Sequence, residues 1–110
     1  MSLDERDNLQ HISEIDKLIH EPSRLAIMAQ LYIIQSADFL FLLPQTGLTT
    51  GNLSRHIIKL EKAGYVKVEK EFVGKKPHTI LQLTKEGRAV FKNYIENMKQ
   101  IIDELSSNKS

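Results

Sequence analysis

The feature that most constrains this chain is a change of hydrophobic period at Gly64. Before this glycine, apolar residues recur at the three- and four-residue intervals of an amphipathic helix, at Leu53, Ile57 and Leu60. After it, apolar and polar residues alternate over 65–69 and again over 78–83, as they do in half-buried strands. A helix that leads into a hairpin within 110 residues predicts one small domain, mainly α-helical with a β-hairpin.

A second helix is predicted just upstream, joined to the first by a tight turn. Ser36 is expected to cap it, and it should run over 37–43. Pro44 is expected to end this helix or bend its last turn, because proline lacks a backbone N–H. Gly47 can supply the positive φ of the turn, and Thr49 is predicted to cap the next helix.

Two further helices are predicted nearer the N-terminus. Apolar residues at helical spacing predict a short amphipathic helix over Ser13–His20, which the Glu21-Pro22 pair interrupts. Proline suits the first position of a helix, so the next helix is expected to begin at Pro22. Its apolar residues cover more than half of its circumference, which is typical of a central core helix.

The last helix is predicted to begin after a Thr84 cap and to continue to about residue 106. Its apolar residues repeat with a seven-residue period and are flanked by two more, giving the set Phe91, Tyr94, Ile95, Met98, Ile101, Ile102 and Leu105. The first half can simply cover the domain's own core. The part past Met98 extends beyond what one small domain covers and predicts a homodimer joined by this helix. The helix predicted near Ser13–His20 would lie alongside it, through Ile12, Ile15 and Ile19.

Positive charge is concentrated in one third of the chain, although the formal net charge is only +1. Residues 49–78 carry seven Lys/Arg against three Asp/Glu, whereas residues 1–48 carry three against seven. Such an asymmetry is what a phosphate-binding surface produces, although a solvated charged face would look the same.

The polar face of the helix that follows Thr49 indicates where DNA would bind. Arg55 and Lys59 lie one turn apart, opposite the buried stripe, and suit base or phosphate contacts in the major groove. The helix start carries small polar residues that would reach the groove first: Thr50, Gly51, Asn52 and Ser54. Asn52 is a candidate to address adenine. Gly51 indicates either close approach of the backbone to DNA or a tight crossing with another helix.

Lys75 and Lys76 at the predicted hairpin tip, within the turn sequence 73–77, suit a minor groove or its phosphates. Lysines in a loop also serve solubility alone. His56 is predicted to be packed or solvated rather than bound to phosphate. The other histidines, at positions 11, 20 and 78, show no metal-ligand spacing.

Composition excludes several other functions. There is no cysteine, so disulfides, thiolate metal sites and cysteine nucleophiles are excluded, and a cytoplasmic location is expected. The N-terminus is acidic and polar, unlike a signal peptide, and the longest apolar run, 39–44, is too short to span a bilayer. No catalytic constellation or phosphate-binding glycine loop is present. We therefore expect no enzyme, no cofactor and no metal.

The order of these elements resembles the winged helix-turn-helix of bacterial and archaeal transcription regulators of the MarR and ArsR type. The resemblance covers roughly 13–98 and lies in three places: an ArsR-like opening over 19–28, an ArsR-like recognition helix and exit over 48–57 and 60–66, and a MarR-like wing and helix start over 72–77 and 83–88. Pro44, the apolar Ile58 and the missing metal-ligand clusters depart from the family patterns. The resemblance implies a winged helix-turn-helix core over 12–83 and a long C-terminal dimerisation helix over 84–106.

The resulting hypothesis is a homodimeric regulator that binds double-stranded DNA at a pseudo-palindromic operator. The alternative is a winged-helix protein-interaction module without specific DNA binding, which the near-neutral overall charge keeps open. A small-molecule effector between the long helix and the DNA-binding core is left open as a further partner. The sequence names neither the operator nor such an effector.

Overall fold

The computed structural model describes residues 15–107 as one helical body with a small antiparallel sheet. In chain order its elements are α1 (Pro22–Ile34), β1 (Ser36–Asp38), α2 (Phe39–Thr46), α3 (Thr50–Lys62), β2 (Val66–Val73), β3 (Lys76–Leu83) and α4 (Lys85–Ser107). The predicted fold class, a winged helix-turn-helix with a long C-terminal helix, is confirmed.

The helix predicted over Ser13–His20 is wrong for its described part, since residues 15–20 form turns; Ser13 and Ile12 lie outside the described residues. The reason is local. The Asp16 carboxylate accepts hydrogen bonds from the backbone N–H groups of Leu18 and Ile19, at 2.9 and 3.2 Å, and so competes with helical bonding. Ile19 is nevertheless fully buried, which means that the apolar pattern was satisfied without a helix.

Helix α1 begins at Pro22, as predicted, and forms the centre of the core. Its cap is Glu21, whose side chain accepts from the N–H groups of the next turn. Ile27, Met28 and Leu31 are fully buried, and α1 packs against α2, α3, α4 and β3. Burial of a side chain of this size is worth roughly 1.5–3 kcal/mol, so this helix organises the fold.

The helix predicted over 37–43 is displaced, and its predicted cap, Ser36, is wrong. Ser36 belongs to strand β1, Asp38 caps α2 through the N–H of Leu40 at 2.8 Å, and α2 continues through Pro44 to Thr46. The helix tolerates Pro44 because the proline lies on the exposed side, where water can satisfy the unpaired carbonyl. Gly47 ends α2 at a φ of 70°, which confirms its predicted role.

The hairpin is longer and tighter than predicted. Strands β2 and β3 pair from Val66–Leu83 to Val73–Lys76, so that only Gly74 and Lys75 form the turn. Gly74 has a φ of 66°, which glycine adopts without strain. Strand β1 was not predicted. It pairs antiparallel with β3 and makes the sheet order β1-β3-β2.

Helix α4 begins after a Thr84 cap, as predicted, and runs for 23 residues. Phe91 and Tyr94 are buried in the chain's own core, with the ring of Phe91 centred 5.1 Å from that of Tyr32. Towards its end the helix still carries apolar side chains, but Ile102 and Leu105 are 57% and 52% exposed. Helix α4 therefore has one half that completes the core and one half with an uncovered apolar edge.

Candidate nucleic-acid interface

Helices α2 and α3 form the helix-turn-helix, and α3 is its second helix. Thr49 caps α3 by accepting from the N–H of Asn52 at 3.2 Å. The predicted stripe of Leu53, Ile57 and Leu60 is buried, which confirms the helical period. Because these residues anchor one side of α3 to the core, its opposite side is held outward.

The outward side of α3 contains most of the predicted DNA-binding residues. Gly51, Arg55 and Ile58 lie along its centre at helical spacing, and all three are exposed. The other predicted residues of this helix lie on its two flanks, where all but the half-buried Ser54 are exposed: Thr50, Asn52, Ser54 and Lys59. Apolar Ile58 is 48% exposed and lines an open cleft together with Phe39 of α2.

Gly51 has open space around it. A Cβ atom built there would meet no atom of another described element within 4 Å, and its φ lies outside the left-handed region. The tight helix crossing considered for Gly51 is therefore wrong within the described chain. Among residues 15–107, no contact or backbone angle accounts for a glycine at this position.

The hairpin flanks α3. Lys75 and Lys76 lie exposed at its tip, where the sequence predicted them. Helix α3 packs on β2. An open cleft of about 560 Å³ lies between the start of this helix and the hairpin. Thr50 and Ser54 line this cleft from the helix, and Lys70 lines it from the hairpin. The structure therefore brings the start of α3 close to the middle of the hairpin, while the two lysines lie at the hairpin tip.

A buried polar cluster that the sequence did not reveal lies beneath α3. His56 is buried, as the packed interpretation held, and Arg24 of α1 donates from Nη1 to its Nδ1 at 3.2 Å. A guanidinium only donates, so this nitrogen accepts and the ring is neutral. Burial lowers the pKa of His56, as do the cations Arg24, Arg55 and Lys59, whereas Glu21 opposes the shift.

Glu21 and Arg24 also connect this cluster to the turn that precedes α1. Arg24 Nε donates to the carbonyl of Leu18 at 2.6 Å. Burial raises the pKa of Glu21, but hydrogen bonds from the N–H groups of Arg24 and Ser23 outweigh it, so the net pKa is lowered. In the sequence, only the charged residues Glu21 and Arg24 beside Pro22 indicate this cluster. The contact between Arg24 and His56 joins residues 32 positions apart, so no local sequence pattern predicts it.

A second polar contact joins the same turn to the end of α3. The Tyr65 hydroxyl donates to Asp16 Oδ2 at 2.9 Å, and burial together with this hydrogen bond raises the pKa of Tyr65 to about 12. Asp16 and Tyr65 border an open cleft of about 440 Å³ against α4, where Tyr94 also lies. Nothing in its lining defines a ligand class, so an effector stays a prediction.

The predicted dimer residues fall into three groups. Ile19, Phe91 and Tyr94 belong to the chain's own core, and Ile101 is also buried. Ile15, Ile95 and Met98 are half-buried against that core. Ile102 and Leu105 are exposed. Among residues 15–107, no helix is sufficiently long and apolar to cross a membrane.

This geometry, a helix-turn-helix with an exposed cationic second helix and a flanking hairpin, defines a winged helix. A family model described as a winged helix DNA-binding domain matches residues 23–102, and the chain belongs to this family. An uncharacterized protein of Methanocaldococcus jannaschii is 36% identical over 85 residues, which are 77% of this chain and 92% of that protein.

Solved structures agree with this assignment. A transcriptional regulator homologue from Pyrococcus horikoshii OT3 is similar with a TM-score of 0.81 and 32% identity, covering 90% of this chain and 97% of that one. A MarR-family transcriptional regulator from Silicibacter pomeroyi shares the fold with a TM-score of 0.65 and 22% identity, covering 96% and 70%. The predicted winged-helix resemblance is confirmed: the chain belongs to the winged helix DNA-binding domain family and shares the fold of the MarR-family regulator.

Proposed function

We propose that this protein regulates transcription by binding, as a homodimer, to a pseudo-palindromic operator in double-stranded DNA. The observation that carries the proposal is the outward side of α3, where Gly51 lies in open space beside exposed Arg55. In helix-turn-helix proteins the second helix lies in the major groove and its N-terminal residues contact base edges. The start of α3 is open in the way that this docking requires.

Phosphate contacts complete the proposed interface. Thr50 and the free N–H groups of the first turn of α3 suit a phosphate oxygen, since the N-terminal end of a helix carries partial positive charge. Lys59 is suited to contact a phosphate of the adjacent DNA backbone. Lys75 and Lys76 at the hairpin tip suit the minor groove or its phosphates. Such contacts give affinity without sequence information.

The uncovered end of α4 supports the proposed dimer. Ile102 and Leu105 are exposed on a helix whose earlier apolar residues are covered by the core. Pairing this end with its two-fold mate would remove both side chains from water. Two-fold symmetry would then present two α3 helices to half-sites about one DNA turn, roughly 34 Å, apart.

The function is tested by binding of the purified full chain to duplexes selected from a random library. We expect retention on heparin, a gel shift with selected duplexes, and an affinity that falls steeply between low and moderate salt as counterions are released. A chain that ignores every duplex at low salt would refute the proposal and favour the protein-interaction module.

Two variants separate the proposed roles. Arg55→Ala should weaken binding to the selected duplex by about 5- to 150-fold and relax one base position, because a bidentate arginine–guanine contact discriminates by about 1–3 kcal/mol. Lys76→Ala should weaken binding to selected and random duplexes alike, because a phosphate contact carries no sequence information. Equal losses on both kinds of duplex from both variants would contradict this division.

The dimer has its own test. We expect sedimentation equilibrium to show a dimer for the natural chain and a monomer for the Ile102→Glu, Leu105→Glu double variant. The monomer should lose cooperative binding to a two-half-site duplex. Lys99→Glu on the same helix is the charge control, since Lys99 is exposed and lies outside the predicted interface.

A further inference from the structure

Two exposed side chains on α3 are already joined in the free protein. Arg55 Nη2 donates a hydrogen bond to Asn52 Oδ1 at 3.0 Å, across one helical turn. Both residues lie on the part of the helix proposed to enter the major groove. What this pair offers to a base therefore differs from what each residue would offer alone.

The chemistry of the two groups determines their relative orientation. A guanidinium has five N–H donors and no acceptor, so only the amide oxygen of Asn52 can face Arg55. The amide nitrogen of Asn52 then faces away with its two donors. Arg55 uses one donor on Asn52 and keeps enough for a bidentate contact to a base. The amide oxygen keeps a second lone pair, but this lies beside the guanidinium charge, so the pair offers mainly donors to a base.

Asparagine addresses adenine by accepting from the N6 amino group while donating to N7. That mode would make the amide oxygen accept from N6 as well as from Arg55, which brings the partly positive amino group close to the guanidinium charge. The hydrogen bond in the folded helix therefore disfavours the contact with adenine that the sequence suggests for Asn52. Edges that offer mainly donors match bases that present keto oxygens, namely guanine O6 with N7 and thymine O4.

We propose that Asn52 and Arg55 act as one unit that reads two adjacent keto-bearing bases in each half-site. Arg55 takes guanine through O6 and N7, and the Asn52 amide takes a neighbouring guanine or thymine. Asn52 has a second role as a positioning residue, because its oxygen restricts the rotamers of Arg55 before binding. This inference rests on the proposed function and specifies which bases that site recognises.

The test is base preference, measured by selection from a random duplex library and then by fluorescence anisotropy at one salt concentration. For the natural chain we expect two adjacent keto-bearing bases on one strand of each half-site. For Arg55→Ala we expect the guanine preference to disappear and the neighbouring preference to move to adenine, because the freed amide can now make its two-bond contact. A change in the identity of the preferred base is not expected from a merely structural helix contact.

Substitutions of Asn52 separate its two roles. Asn52→Asp keeps an acceptor for Arg55 but lacks the amide donors, so the guanine preference should persist while the neighbouring preference is lost. Asn52→Ala should lose the neighbouring preference and also weaken the guanine preference by several-fold, because Arg55 is no longer held. Lys62→Ala, an exposed cation near the end of the same helix, is the matched control and should leave both base preferences unchanged.

The outcomes distinguish this inference from the proposed function. Selection of adenine beside the guanine by the natural chain, or an unchanged neighbouring preference in Arg55→Ala, would overturn the inference while specific DNA binding stands. Absence of binding to any duplex would overturn both. Circular dichroism of each variant confirms that the helix content is retained, as expected for exposed residues.

Discussion

Helices α3 and α4 begin with similar residues, but the two helix starts differ in how closely other parts of the chain pack against them. Each has a threonine cap and a glycine in its first turn, Thr49 with Gly51 and Thr84 with Gly87. At the start of α4, the space is closed, since a Cβ at Gly87 would lie 2.0 Å from the backbone oxygen of Tyr65. At the start of α3, where the glycine lies one residue nearer its cap, the space beside Gly51 is empty.

The two capping threonines differ in the same way, in their burial and in the number of hydrogen bonds that they make. Thr84 is half-buried, donates to the carbonyl of Gly64 at 2.6 Å and accepts from the N–H of Gly87 at 2.9 Å. Thr49 is exposed and accepts from the N–H of Asn52 at 3.2 Å. The closed start of α4 joins the long helix to the exit of α3. The open start of α3 leaves backbone groups accessible, which suits a partner outside the chain.

The largest effect is expected at the closed start. Gly87→Ala places a methyl group against backbone atoms of Tyr65, which cannot rotate away as a side chain would. We expect the free energy of unfolding to fall by about 1–3 kcal/mol or more, measured by urea denaturation at one protein concentration. Unchanged stability would mean that the two helix starts are not different in packing.

A smaller loss of stability is expected when each capping threonine is replaced by valine, which is nearly isosteric but cannot make the capping hydrogen bond. Thr84→Val loses two hydrogen bonds and leaves the Gly64 carbonyl without its donor, so a loss of about 2 kcal/mol is expected. Thr49→Val loses one exposed bond that water can replace, so about 1 kcal/mol or less is expected. Thermal and urea unfolding of the pair give the comparison directly, and equal losses would contradict it.

The smallest effect on stability has the opposite sign. Gly51→Ala should raise the free energy of unfolding by up to about 1 kcal/mol, because alanine favours a helix and nothing opposes its methyl group. The same substitution should weaken duplex binding several-fold if the backbone approaches DNA here. Anisotropy and urea unfolding of one preparation measure both. A stabilised variant with unchanged DNA affinity would remove Gly51 from the proposed interface.

Local patterns were sufficient wherever neighbours in the chain settle the structure. Pro22, Gly47 and Gly64 delimit helices as predicted, and Thr49 and Thr84 cap them. Candidate cations and small polar residues of α3 could be named because the buried stripe of an amphipathic helix defines its opposite side. Their roles on DNA stay predictions.

Strand β1 shows where local patterns failed. Ser36 looks like a helix cap, but residues 36–38 pair with Gln82, Leu81 and Ile80, more than forty residues away. Gln35, just before this strand, has a φ of 64°. The sequence gives no sign of this conformation, because the position holds neither glycine nor asparagine, the residues that adopt a positive φ most readily. The Asp38 carboxylate then caps α2 and accepts a hydrogen bond from His78 of β3. Sheet pairing therefore moved the start of α2 by two residues.

By itself, the sequence determined the helix-turn-helix, the hairpin and the long final helix, because periodicity, caps and glycine turns act between residues a few positions apart. Tertiary structure alone decided which glycine is enclosed and which histidine is neutral beneath α3. These properties depend on burial and on the directions of individual donors and acceptors. Both are set only when the packed elements fix each side chain in space.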